Sequence, residues 1–226
     1  MLLQRFTNCI KREFRSLRGV ATMALFALLL AGCGSTPQSK QLADETVELG
    51  PNGQPVEQRV VPAEAQKMYE QSVAVMASGD FLEAQFRFQE FLLQYPDFPG
   101  AHVNLAIIFA SNGDDRGAEN SITDALIVDP EYAPALNQLG MLLRRQGKFP
   151  EAEFAYMRAV TAHPGYALAH YNLGVLNELY FQRLDIALQH FERYQVLIGE
   201  DKQVEKWIAD LKRRISADQR TANVTE

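Results

Sequence analysis

Between residues 65 and 199 the apolar positions recur three and four apart, the spacing that gives a helix one buried face. The pattern also repeats on a longer scale. Aligned on Ala65, Pro99, Ala133 and Ala167, the chain falls into four copies at a spacing of 34 residues. Position 8 of each copy is small: Ser72, Ala106, Gly140, Gly174. Position 20 is Ala84, Ala118 and Ala152, with Ala187 matching after a one-residue insertion in the last copy. Position 24 is bulky: Phe88, Ile122, Tyr156, Phe191. Gly79, Gly113 and Gly147 hold position 15, and Pro96, Pro130 and Pro164 hold position 32, where the fourth copy has Gly199.

Each copy thus predicts two helices of about 12 to 14 residues, divided at the glycine. Glycine supplies the left-handed conformation that ends a helix, and proline cannot continue one. Small residues at positions 8 and 20 let paired helices approach, and the large residue at 24 fills the space beside them. One such pair cannot bury its apolar face alone, so neighbouring copies must stack. This period and these positions resemble the tetratricopeptide repeat family over residues 65 to 199. The expected fold is therefore all-α, a tetratricopeptide α-solenoid of four helix–turn–helix repeats over residues 63–199. Atypical residues at the ends, Phe91 and Tyr194 at position 27 and Gln71 at position 7, suit copies with one unusual neighbour each. After Gly199, a single helix over residues 200–218 places Val204, Trp207, Ile208, Leu211 and Ile215 on one face, as a terminal cap requires. Residues 219–226 read as a tail.

The N-terminus carries a different signal. The apolar stretch from Val20 to Ala31 is about a dozen residues, against roughly 20 for a bilayer-spanning helix. A basic start, a short apolar run and small residues form a secretory signal. Leu30-Ala31-Gly32-Cys33 resembles the lipobox of bacterial lipoproteins. That resemblance implies a signal peptide over residues 1–32 and cleavage before Cys33, which then carries three fatty chains. Each buried methylene contributes about 0.8 kcal/mol, so several chains hold a protein to a bilayer durably. Gly34 stands where an inner-membrane retention signal would place aspartate, which implies the outer membrane, with the protein facing the periplasm. Residues 33–62, rich in Gly, Pro, Gln and charge, read as a flexible tether with an average reach of about 30 Å.

Charge and cysteine narrow the chemistry. The whole chain carries −6, but residues 1–32 hold five basic residues against Glu13 alone. Taking these from 22 basic and 28 acidic residues leaves 17 and 27, a body near −10 that repels phosphate backbones. Nucleic acid is excluded as a partner on that ground. Both cysteines, Cys9 and Cys33, precede the repeats, so the repeats hold no disulfide, cysteine nucleophile or cysteine-ligated metal. His102 and His170 fall at position 4 of alternate copies and read as packing residues. HExxH, GxSxG and glycine-rich phosphate loops do not occur. The reading is a non-enzymatic protein with no cofactor, no metal and no small-molecule substrate.

What remains is surface. The tetratricopeptide resemblance implies that the first helices line a concave groove. Its candidate contacts are Tyr69, Val103, Asn104, Ile107, Asn137, Gln138, Met141, Arg144, Tyr171, Asn172 and Val175, with Glu70, Val73, Arg145 and Glu178 beside them. Side-chain amides there can pair with a peptide backbone, and the apolar residues give contact area. Arg144 either receives a partner carboxylate or pairs with acidic neighbours. Repeats that clamp chaperone C-termini use several cations, which this groove lacks. The insertion in the fourth copy, ELYFQRLDIA, puts Tyr180 and Phe181 where the turn glycine would be. These aromatics either tuck into the cap or stand out as a contact loop.

The combined expectation is a membrane-anchored adaptor that binds an envelope protein or peptide and supports assembly of an envelope complex. Lipid plus helical repeats resembles the pilotin lipoproteins of type IV pili, which help a secretin assemble. Scaffolds of TonB-type energy-transducing systems, or of cell-wall enzymes, are alternatives.

Overall fold

The computed structural model describes residues 61–225, and its contacts divide the chain into residues 1–63 and 64–226. The signal peptide, Cys33 and nearly all of the tether lie outside the described residues. The rest is helical: α1 Ala63–Ser78, α2 Phe81–Gln94, α3 Pro99–Ser111, α4 Asp115–Val128, α5 Ala133–Arg145, α6 Phe149–Ala162, α7 Ala167–Leu176, α8 Leu184–Ile198 and α9 Lys202–Thr225. A π-helical turn, Asn177–Phe181, extends α7. Four helical pairs and a final helix make up the solenoid that the 34-residue period predicts.

Local chemistry sets the boundaries. Asp80 and Asp114 cap α2 and α4, their carboxylates accepting from the backbone N–H of Glu83 and Gly117 at 3.1 and 2.9 Å. Pro99, Pro134 and Pro150 sit in the first turns of α3, α5 and α6, where a missing N–H costs nothing. Gly79, Gly113 and Gly147 take φ of 93°, 79° and 76°, so the three turns need glycine. In the fourth repeat the extra residue is absorbed by the π-helical turn. The left-handed position passes to Gln182, at φ 54°. The Arg183 N–H then closes the turn on the Asn177 carbonyl at 2.9 Å.

Position 8 is small because position 24 lies against it. A Cβ on Gly140 would stand 2.4 Å from Tyr156 Cε1, and one on Gly174 would stand 2.6 Å from Phe191 Cε1. Where Ile122 replaces the ring, Ala106 suffices; both are buried. Tyr156, Phe88, Phe91 and Phe191 are fully buried, each contributing about 1.5–3 kcal/mol by leaving water. The first helices of the second, third and fourth repeats, α3, α5 and α7, also touch in succession, which makes them the inner layer of the stack.

The capping helix closes the far end. Val204 and Leu211 are buried against Ala187, Phe191 and Tyr194, and Trp207 packs beside them. Its indole centroid is 5.9 Å from Tyr171 and 5.5 Å from Phe191. Lys212 pairs with Glu192 at 2.7 Å, and Arg214 with Glu178 at 2.8 Å. One boundary differs from the sequence reading: α9 runs to Thr225, through most of the predicted tail. Neither glycine nor proline interrupts residues 202–225, so no breaker ends the helix at 218.

Candidate functional site

Several predicted groove residues turn inward and bond to one another. Asn172 Nδ2 donates to Asn137 Oδ1 at 2.9 Å, between position 6 of the fourth repeat and position 5 of the third. Asn104 Nδ2 donates to the Tyr69 hydroxyl at 2.9 Å, the same positions in the second and first repeats. Asn137 is 0% exposed, and its Nδ2 is left with the Met141 sulfur at 3.7 Å, a weak acceptor. Asn104, Asn137 and Asn172 thus bond within the stack, as rungs between repeats. A buried amide group without a partner is costly, so each rung holds its junction in register. Val103 is buried against Ala125 and Ala135 and offers no contact surface. Ile107 packs against the same cluster.

The tyrosines are also taken up by the fold. Tyr69 packs among Phe88, Phe91 and Phe98 at centroid distances of 5.9, 5.8 and 4.9 Å, and burial raises its phenol pKa. Tyr171 packs against Phe191, Tyr194 and Trp207 and so anchors the cap.

At the middle junction the ladder stops. Position 5 of the second repeat is Val103, which cannot accept, so the carboxamide of Gln138 finds no rung. Gln138 is 8% exposed and makes no hydrogen bond among the described residues. The residue lines a cavity of about 460 Å³ on the inner layer. Of the predicted groove residues, Gln138, Met141, Arg144, Arg145 and Val175 line this cavity. Ile122 and Leu142 supply apolar wall from below, and Leu179 and Tyr180 of the π-helical turn enclose it from the fourth repeat.

The two adjacent arginines differ. Arg145 pairs with Asp115 and donates to the Ala110 carbonyl at 3.1 Å, tying the second repeat to the third. Arg144 is half-buried and has neither an ion pair nor a hydrogen bond among the described residues. The Tyr156 hydroxyl is buried without a hydrogen-bond partner among the described residues. Burial pushes its pKa up to about 12, against the pull of the Arg144 charge.

Tyr180 and Phe181 lean toward the third repeat instead of the cap. Tyr180 stacks on Phe149 at 4.3 Å and stays 45% exposed on the cavity wall. Phe181 packs with Ala152, Tyr156 and Leu176, under the guanidinium of Arg183 at 4.3 Å. Sequence reasoning missed Leu179, Ile122 and Leu142 as cavity residues. The last two occupy core positions of the repeat, and only the insertion flagged Leu179.

The histidines at position 4 clasp the turns. His102 Nε2 lies 3.0 Å from the Pro96 carbonyl, and His170 Nε2 lies 3.3 Å from that of Pro164. A carbonyl only accepts, so His170 Nε2 carries a proton and, in the neutral ring, Nδ1 accepts. His190 Nδ1, 3.1 Å away, must then donate to it. Burial, with His170 adding to it, lowers the His190 pKa to about 4, and burial lowers that of His170. Among the described residues no group of three or more His, Cys, Asp or Glu is placed to hold a metal. None of their helices is long and apolar enough to cross a membrane.

The tetratricopeptide repeat family matches residues 69–134, 112–167 and 137–201 in three overlapping stretches. No curated protein sequence matches. Among solved structures, PilF of Pseudomonas aeruginosa is similar at TM-score 0.60 and 24% identity, over 70% of this chain and 72% of that one. A tetratricopeptide protein of Thermus thermophilus is similar at TM-score 0.57 and 20% identity, over 66% and 82%. MamA of Desulfovibrio magneticus is similar at TM-score 0.54 and 19% identity, over 71% and 90%. These likenesses establish the fold.

Proposed function

This chain belongs to the tetratricopeptide repeat family, and we propose that it is a membrane-anchored adaptor that binds a segment of an envelope protein on its inner layer. Tetratricopeptide repeats generally serve as non-enzymatic protein-interaction scaffolds. The observation that carries the reading is the inner-layer cavity between the second, third and fourth repeats, with polar groups at its wall that the fold leaves unused. The Leu30–Cys33 motif supports acylation at Cys33, and Gly34 supports placement on the periplasmic side of the outer membrane. The plan of lipid plus helical repeats also supports a narrower reading, a pilotin-like factor in secretin assembly.

The test is photo-crosslinking in cells from Met141 and Val175, compared with Leu93 and Phe154 on the exposed faces of α2 and α6. The inner probes are expected to capture one defined envelope protein that the outer probes do not. Equal capture from both faces would remove the inner-layer reading. Cys33→Ala is expected to move the protein from the membrane to the soluble fraction; continued sedimentation with membranes would end the anchor.

A further inference from the structure

The hydrogen-bond ladder fails at one junction, and the cavity lies at that failure. Gln138 is more than nine-tenths buried and lines the cavity, and its carboxamide makes no hydrogen bond among the described residues. Arg144, on the same wall, has no acidic partner among the described residues, whereas the neighbouring Arg145, which also lines the cavity, is neutralised by Asp115. Among the described residues, the Arg144 charge therefore stands uncompensated at a largely apolar hollow in an otherwise acidic body. The buried Tyr156 hydroxyl, within electrostatic reach of Arg144 and Tyr180, is a further unpaired donor in the same neighbourhood. At about 460 Å³ the hollow falls within the usual range of ligand pockets, about 300–1,000 Å³.

We propose that the cavity takes a large apolar side chain of a partner peptide, while Arg144 receives the carboxylate of an adjacent Asp or Glu and Gln138 pairs with the peptide backbone. The proposal rests on the inner layer being the binding face and narrows what that face selects. Each element answers an observation. The apolar side chain covers Ile122, Leu142, Val175 and Leu179. The carboxylate supplies the ion pair that Arg144 lacks, in a site where partial burial weakens screening. A backbone peptide group offers Gln138 both a donor and an acceptor.

The test uses random dodecapeptides displayed on phage and selected on the immobilised full-length protein. The best peptide is then measured by fluorescence anisotropy. Selected sequences are expected to place Asp or Glu beside Leu, Ile or Phe. Replacing that acid by its amide is expected to weaken binding about tenfold, as for a lost charge-assisted hydrogen bond. The same replacement is expected to change nothing on Arg144→Gln. Val175→Glu should abolish binding, while Lys206→Gln, on the exposed face of the cap, should leave it unchanged. Arg144 makes no bond within the described fold, so Arg144→Gln keeps the test valid even if Val175→Glu unfolds the repeat. Failure to select any peptide, selection without an acid, or binding indifferent to Arg144→Gln would overturn the proposal. Each of those results leaves the crosslinking outcome standing, so the broader reading is judged separately.

Discussion

The junction between the third and fourth repeats and the junction between the second and third share one frame, and they spend their polar groups differently. At the outer junction Asn172 and Asn137 bond to each other in the dry interior, and Tyr171 beside them anchors the cap. At the middle junction Val103 stands where Asn137 stands, and the partner residue, Gln138, lines a cavity. The first junction, with Asn104 on the Tyr69 hydroxyl, sides with the outer one. Polar pairs across a junction hold repeats in register, whereas an amide without a partner in the neighbouring repeat leaves donors and acceptors for a ligand. A stack can thus be stable at its ends and receptive in its middle without changing its period.

Removing one amide from each junction breaks the comparison most sharply. Asn172→Ala leaves the buried Asn137 oxygen unpaired and is expected to cost about 2 kcal/mol in urea unfolding. Gln138→Ala breaks no internal bond and is expected to cost under about 1 kcal/mol. Equal losses would show that the two amides do the same structural work. Rebuilding the rung is the next test. Val103→Asn combined with Gln138→Asn copies the outer pair into the middle. The double variant is expected to be more stable than the two single effects predict, by about 1 kcal/mol of coupling. It should also lose peptide binding as the carboxamide turns inward. Additive behaviour would mean that the middle junction cannot close.

The smallest expected effect is that of pH at the fourth repeat. The His190 pKa lies near 4 in the fold against an ordinary 6.5. Between these values the unfolded chain binds more protons than the folded one, so stability present above about pH 6.5 is lost as pH falls toward 4. His190 is partly solvent-exposed, which keeps the effect modest. The melting temperature is expected to fall across that window in the native chain and to fall less in His190→Gln. An identical pH profile for the two proteins would remove the histidine pair as the cause.

Much of the stack was legible because its causes are local and periodic. Glycine at position 15, proline at 32 and the small–large pairing of positions 8 and 24 each act within one copy. The candidate site was legible only in part. Asn104, Gln138 and Asn172 all stand at position 6, but whether each is free depends on position 5 of the preceding copy, 35 residues earlier. The sequence carries that signal in Tyr69, Val103 and Asn137, of which only the valine lacks a side-chain acceptor. Arg144 and Arg145 could not be told apart either, since Asp115 sits on another repeat.

By itself the sequence determined the helices, their turns, their number and their stacking, because a 34-residue frame of small, bulky and breaking residues admits few other ways to bury its apolar faces. Tertiary structure alone decided which polar groups the stack consumes and which it leaves open. Hydrogen bonds and ion pairs between repeats depend on side chains meeting across a junction to within a few tenths of an ångström, and that meeting is settled only once the helices have packed.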